Sequence, residues 1–285
     1  MTEHLLEIAK ALVMVRDGEI QVLSDPKIEV CPLRSRLYGC EMETRETVGR
    51  VLRSHMEELG MFGPDRVLEL DEKPVSFGAS EITMDAMDEG MVDAAVVVCE
   101  GAGTIIVDRP EVLQAVGAHM TGLIRTEPIQ EIQEGLEERG VVLLDRGGTI
   151  DQVAGYVKAV NSGFHNIVVT ITGHRAFEAR KLWEMTRVSG RPIIFPVHNT
   201  GIDRGQAETL VDHCDIIWAC ASDQVREVAG ERAKIQIGVS IPVFAITDLG
   251  KRLVLNRALH FEDTLVIHRA GLPHTPQGKQ PRPLF

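Results

Sequence analysis

The run DAAVVVCEGAGT, residues 93–104, ends a series of buried-looking residues on a thiol, a carboxylate and two glycines. Such an ending suits a phosphate-binding loop, a nucleophile or metal site, or a tight turn. A dinucleotide fingerprint needs a third glycine three residues after Gly103 and a helix that starts at once. Ile106 stands there instead, and TIIVD continues as a second extended run. The fingerprint fails. What remains is a turn between two strands, or a backbone at Gly101, Gly103 and Thr104 brought close to a ligand.

Further apolar runs also end on reactive side chains. Thr170, Thr172 and His174 follow one, and His198, Asn199 and Thr200 follow another. Cys220, Ser222 and Asp223 end the next, and Thr247 and Asp248 the last. A thiolate at Cys99 or Cys220, favoured by a helix N-terminus and paired with His198 or His174, would be a nucleophile. Glu100 would serve proton transfer. Cys99, Cys220 and His198 could instead hold a soft metal or an iron–sulfur centre. No C-x-x-C spacing exists, so that second reading depends on the fold bringing distant residues together. Gly101, Gly103, Thr104, Thr172, His174, Asn199, Thr200 and Ser222 are the candidates for holding a ligand or cofactor. The bland alternative for either cysteine is a small buried residue at a strand end.

Three other stretches carry weaker signals. VCPLRSRLYGC sets Cys31 and Cys40 beside Arg34 and Arg36, which would favour a thiolate or bind phosphate or carboxylate, or else form a solvated loop. SFGASEI puts Ser76, Gly78 and Ser80 at a helix start, a place suited to anions or to plain capping. DRGGTIDQ offers Asp145 and Asp151 around a glycine turn, with helix capping by Thr149 as the default. His213, Cys214 and Asp215 precede a strand and should be structural. No G-x-S-x-G, Walker lysine loop, H-E-x-x-H or EF-hand loop is present.

Positioning these residues falls to alternating elements. LVMVRDGEIQVLS reads as two short strands around Asp17-Gly18, and PKIEVCPL as a further extended piece. TRETVGRVLRSHMEELG has helical spacing, with Thr44 as N-cap and Gly60 as stop. From Ser76 to about Leu259 apolar strands alternate with helices, the pattern of a parallel sheet covered on both faces. The expected fold is α/β: a doubly wound, mostly parallel, Rossmann-like core over 76–260. Residues 1–75 form an N-terminal β-rich subdomain or sheet extension, and 261–285 a flexible proline-rich tail. In such a sheet ligands bind beyond the carboxyl ends of the strands, where the reactive endings gather.

Composition narrows the partners. The formal net charge is −12 and aromatics are only 4%, so the basic stripe and stacking platforms of nucleic-acid binding are missing. No apolar run reaches the ~18 residues of a membrane helix, and the N-terminus lacks a basic start followed by a cleavable apolar stretch. Five cysteines, an odd number, argue for a reducing cytoplasm. A small-molecule ligand and a homo-oligomer are expected, with the locally basic tail as a candidate arm around an acidic second subunit.

One resemblance runs through nearly the whole chain apart from the tail. CPL at Cys31, GMFGPDR from Gly60, SFGASEI from Ser76, CEGAGTIIV from Cys99, IDQVAG from Ile150, HNTGI from His198 and ACAS from Ala219 stand in order. Together they resemble the methanogenesis marker protein 8 family. The resemblance implies an anaerobic, C1-metabolism setting and assigns no catalytic residues. Two functions stay open. One is an enzyme that modifies a small molecule or cofactor. The other is a non-catalytic accessory or assembly factor for an anaerobic multi-subunit enzyme, with a protein partner from C1 metabolism.

Overall fold

The computed structural model describes residues 2–119, 122–185 and 191–285. Three strands open the chain: β1 (Glu3–Ile8), β2 (Ala11–Arg16) and β3 (Glu19–Val22). Asp17 and Gly18 both have positive φ, 50° and 80°, as the two-residue turn predicted between β2 and β3 requires. The β1–β2 turn does the same with Ala9 and Lys10, φ 51° and 65°, without a glycine to announce it. The piece expected to be extended, residues 26–33, is non-helical up to Cys31, with a single β-bridge from Val30 to Arg282. Its last two residues open the short helix α1 (Pro32–Tyr38), with proline in its first turn. Helix α2 (Arg45–Leu59) starts and stops where the sequence predicts. Thr44 caps it by accepting from the Thr47 N–H, and Gly60 ends it at φ 63°. It buries Val48 and Leu52 against Leu6, Val13 and Val15 of the sheet.

The middle of the chain supplies α3 (Ala79–Asp88), β4 (Ala94–Cys99), β5 (Gly103–Val107), α4 (Pro110–Gly117), β6 (Leu123–Thr126), α5 (Gln130–Glu138) and β7 (Val142–Leu143). Then come α6 (Gln152–Asn161), β8 (Ile167–Thr172), α7 (Ala176–Glu184), β9 (Ile193–His198) and α8 (Arg204–His213). The helix read over HRAFEARKLWEMTRVSG extends, at 186–190, outside the described residues. The last elements are β10 (Ile216–Trp218), α9 (Asp223–Arg232), β11 (Ile235–Ile237), β12 (Val243–Ala245) and α10 (Asp248–Leu259).

The result is a mixed α/β protein in which the strands of the described residues form three sheets. The central sheet has the order β7-β5-β4-β8-β9. Helices cover both of its faces. Helices α3, α4, α5 and α10 pack on one, burying Ile82, Leu113, Ile132 and Leu253 with Val97 and Phe195. Helices α6 to α9 cover the other, burying Tyr156, Leu182, Leu210 and Val225 with Val96 and Val169. The expectation of a mostly parallel, doubly wound sheet needs correction. Among the described residues only β4–β8 and β8–β9 are parallel pairs; β5 pairs antiparallel with both β4 and β7 and so runs against the rest of the central sheet. Strands β10, β12 and β11 form a separate antiparallel sheet. For β5 the reason is connection length. Parallel neighbours need a crossover of a dozen or more residues, and only a tight turn at Glu100–Ala102 joins β4 to β5.

The N-terminal sheet has the order β3-β2-β1-β6. Strand β6, from the middle of the chain, pairs with β1 and so ties the first 60 residues to the central body. The tail also returns to the body. Arg282 exchanges backbone hydrogen bonds with Val30, and Phe285 N–H donates to the Ala221 carbonyl at 2.8 Å. Among the described residues no helix is long and apolar enough to cross a membrane.

Candidate functional site

The carboxyl ends of β4, β8 and β9 open into a cavity of about 390 Å³, within the size range of small-molecule sites. Its floor is Val97, Val98, Thr170, Thr172, Val197 and His198. Its roof is the N-terminal unit: Leu6 to Ala9 of β1 and its turn, then α1 and α2. The start of α3 forms one side, and Thr200, Trp218, Cys220 and Pro281 close another. The site is therefore built from two ends of the sequence.

His198 is the most specific feature of the wall. Its Nε2 donates to Glu7 Oε1 at 2.9 Å, across 191 residues of chain. Lys10 Nζ donates to the other oxygen of Glu7 at 3.0 Å. Burial works to raise the Glu7 pKa, but the hydrogen bonds and charges of His198 and Lys10 prevail and bring it down to about 2. Glu7 is thus a fixed carboxylate that accepts from His198 Nε2 and orients the ring, the arrangement seen in acid–base pairs. Gly122, φ 80°, packs so closely that a Cβ there would lie 2.9 Å from His198 Cε1. His174 stands behind, its ring centroid 6.3 Å from that of His198. Its Nε2 lies 3.0 Å from the Thr200 carbonyl, and burial, then Lys10 and His198, lower its pKa.

Cys220 is on the wall with an unusual backbone. Its φ is 49°, a left-handed conformation that non-glycine residues adopt rarely. The buried guanidinium of Arg226 grips its carbonyl at 2.6 Å. Burial raises the thiol pKa, so Cys220 is a thiol at neutral pH. Cys31 lines the same cavity and is raised by burial as well. Thr172 and Thr200 reach the wall too; Thr172 Oγ1 donates to the His198 carbonyl at 3.1 Å, and Thr200 Oγ1 accepts from Ala221 N–H.

Other predicted site residues lie outside the cavity wall. Cys99 is fully buried in the core, its sulfur 3.2 Å from the Glu100 carbonyl. Burial pushes its pKa well above the ordinary value. Glu100 is 1% exposed and bonded to Arg66 Nε at 2.6 Å. Gly101 and Gly103, φ 76° and 75°, make the β4–β5 turn, and the Gly101 N–H donates to Thr126 Oγ1. The question raised by CEGAGT has its answer: it is a hairpin turn, closed against β6. Thr104 Oγ1 donates to Gln152 and accepts from Asp151 N–H. Asn199 Nδ2 donates to the Pro196 and Trp218 carbonyls, and Ser222 caps α9. Asp151, rather than Thr149, caps α6, and Asp145 accepts from Gly147 N–H in its turn. The anion place at the start of α3 is already taken by the Glu81 carboxylate, which accepts from Val75 N–H and Ser80 Oγ. Asp215 accepts from Arg191 and the Ile194 N–H, a structural role as expected.

The sequence reading missed Glu7, His55 and His119 on the cavity wall and Lys10 beside Glu7. His55 sits in the apolar stripe of α2 and looked like packing. Glu7 precedes a turn that carries no glycine. Among the described residues, no group of three or more His, Cys, Asp or Glu side chains gathers closely enough to hold a metal ion.

Fold and site together define the class: an α/β protein whose N-terminal sheet roofs a cavity at the carboxyl edge of a helix-covered sheet. Residues 4–259 match the family model described as an uncharacterized protein conserved in archaea (DUF2099). The chain belongs to that family. It is also 35% identical over 287 residues to the uncharacterized protein MJ0054 of Methanocaldococcus jannaschii, with all of both chains covered.

Proposed function

We propose that the protein is a cytoplasmic enzyme of anaerobic C1 metabolism that acts on a small molecule held in this cavity. The setting rests on the resemblance to the methanogenesis marker protein 8 family. The three parallel strands β4, β8 and β9, covered by helices on both faces, support a Rossmann-like reading of the core. The observation that carries the chemistry is the Glu7–His198 pair. A carboxylate imported from the opposite wall orients the imidazole and presents Nδ1 as acid or base. The ligand is oriented between His198, Thr172 and Thr200 on one side and Cys220 with Cys31 on the other. Cys220 acts as a nucleophile only after a base removes its proton. Cys99 and Glu100 have no part in this reading, because they do not face the cavity.

The test is metabolite consumption. Protein purified without oxygen is incubated with an anaerobic cell extract from which macromolecules have been removed, and small molecules are followed by mass spectrometry. The wild type should deplete a mass that the Glu7→Gln and His198→Asn variants leave in place. Depletion of nothing, together with isolation as a stoichiometric complex, would establish the accessory reading instead.

Either reading allows a homo-oligomer, and one observation favours it. Leu259, Val266 and Ile267 are 84, 85 and 81% exposed, beside an apolar groove lined by Leu255, Phe261 and Leu265. Scattered exposed apolar residues are ordinary, but a contiguous patch marks contact. We assign this patch to a second copy of the chain, which light scattering of the pure protein tests directly.

A further inference from the structure

We propose that the α1–α2 end of the cavity is a carboxylate-binding subsite, formed by Arg34, His55 and His119, that holds the acidic head of an otherwise apolar small molecule. The inference deepens the function proposed above by naming its substrate class. It rests on different residues.

The three side chains line one cavity, and each carries a buried atom without a hydrogen-bond partner: Arg34 Nη2, His55 Nε2 and His119 Nδ1. His55 is 6% exposed. Interiors rarely leave such atoms unpaired, so three on one wall point to a missing partner. They are contiguous. The His55 and His119 ring centroids are 5.3 Å apart, Tyr38 meets His55 edge-on at 5.1 Å, and the Arg34 guanidinium lies 5.7 Å from the Tyr38 ring centroid.

Burial, then His119, Arg34 and Arg66, hold His55 down to about 4, so at neutral pH it stands as an uncharged imidazole. His119 is lowered by burial and Arg66, with Glu72 and Glu58 opposing. Arg66 is neutralised by Glu100. Arg34 gives Nε to Glu43 Oε1 at 2.6 Å, while Glu43 Oε2 has no partner. The free capacity is thus one guanidinium nitrogen and two imidazole nitrogens. That set matches the two oxygens of a carboxylate, with the Arg34 guanidinium shared between the ligand and Glu43. A phosphate, with three oxygens and up to two charges, needs more donors than the subsite has. The wall beyond it is apolar, with Leu6, Val51, Leu52, Leu113 and Leu123, so the bound molecule is acidic at one end and apolar along its body.

The experiment uses the full chain and three probes: octanoate, octanamide and octyl phosphate, titrated calorimetrically. Octanoate should bind at least about tenfold tighter than the other two, the value of one charge-assisted hydrogen bond. Arg34→Met and His55→Phe should each cost octanoate a similar factor. NMR of the wild-type histidines supplies a readout that needs no variant: saturating octanoate should raise the His55 pKa from about 4, because a bound anion favours the imidazolium. Equal binding of octanamide, tighter binding of octyl phosphate, or a His55 resonance unmoved by octanoate would overturn the subsite. Failure of octanoate to bind while the wild type still consumes its metabolite removes the subsite alone. Octanoate binding without any metabolite consumption removes the enzyme reading and leaves the subsite standing.

Discussion

A histidine kept neutral by its surroundings makes stability depend on pH in a definite direction. His55 titrates near 4 in the folded protein against 6.5 ordinarily. The unfolded chain therefore takes up the proton first as pH falls. The stabilisation is complete above pH 6.5 and drains away between 6.5 and 4, by about 3 kcal/mol in all. His4, lowered by burial against the pull of Glu100 and Glu127, contributes with the same sign. Glu7 acts in a lower window. Its carboxyl, brought from 4.5 to about 2, stabilises the fold above pH 4.5, and that contribution disappears as pH falls toward 2. Denaturant titrations at several pH values should show both slopes, and His55→Phe should reduce the upper one, leaving the share of His4, His119 and His174, which burial also lowers. A second residue-scale test concerns Gly122. An alanine Cβ would meet the Glu7 carbonyl at 2.5 Å and the His198 ring at 2.9 Å, in a left-handed backbone that alone costs about 1–2 kcal/mol. Gly122→Ala should lower stability by at least that amount and displace His198, as a crystal structure and a thermal melt would show.

At the scale of elements, the CEGAGT turn decides how far sequence reasoning reaches. The failure of the dinucleotide fingerprint was legible, because Ile106 and the extended TIIVD run exclude a helix there. The reversal of β5 was legible too, because a tight turn can join only antiparallel neighbours, and the expectation of a mostly parallel core did not follow that through. The reactive edge was legible as a place. Thr172, His198, Thr200 and Cys220 do share it, because strand direction alone carries β8 and β9 to one rim. What completes the rim was illegible: Glu7 and α1 arrive through the pairing of β6 with β1, a long-range contact without a local signature. Glu100 shows the cost of reading a carboxylate by its position alone. It and Arg66 are both 1% exposed and bonded to each other, and Arg66 also holds the Val67 and Ala115 carbonyls. Removing one partner of such a pair strands a buried charge and costs about 3–5 kcal/mol. Arg66→Met should therefore lose stability on that order by chemical denaturation. Glu100→Gln, where it folds, should keep ligand affinity. A Glu100→Gln protein of full stability that cannot turn over its metabolite would return that carboxylate to the catalytic list.

For the whole molecule, the closing segment of the chain matters more than its proline-rich composition suggests. Pro281 lies on the cavity wall, Arg282 pairs with Val30 just before Cys31, and Phe285 bonds to Ala221 just after Cys220. The segment read as a flexible tail thus straps the two thiols of the cavity together. Deleting residues 276–285 should open that side. Alkylation of Cys31 and Cys220, mapped by mass spectrometry, should accelerate by about tenfold or more, the effect of removing some 1.4 kcal/mol of closure. Cys99 and Cys214, fully buried in the two cores, should not change. The most direct test of the central claim, that the roofed rim of the central sheet is where the protein does its work, is a crystal structure of protein purified without oxygen and soaked in octanoate. The acid is expected in the cavity, with its carboxylate at Arg34 and His55 and its chain directed toward His198. An acid bound elsewhere, at the β4–β5 turn or on the α10 surface, with the cavity empty, would contradict it.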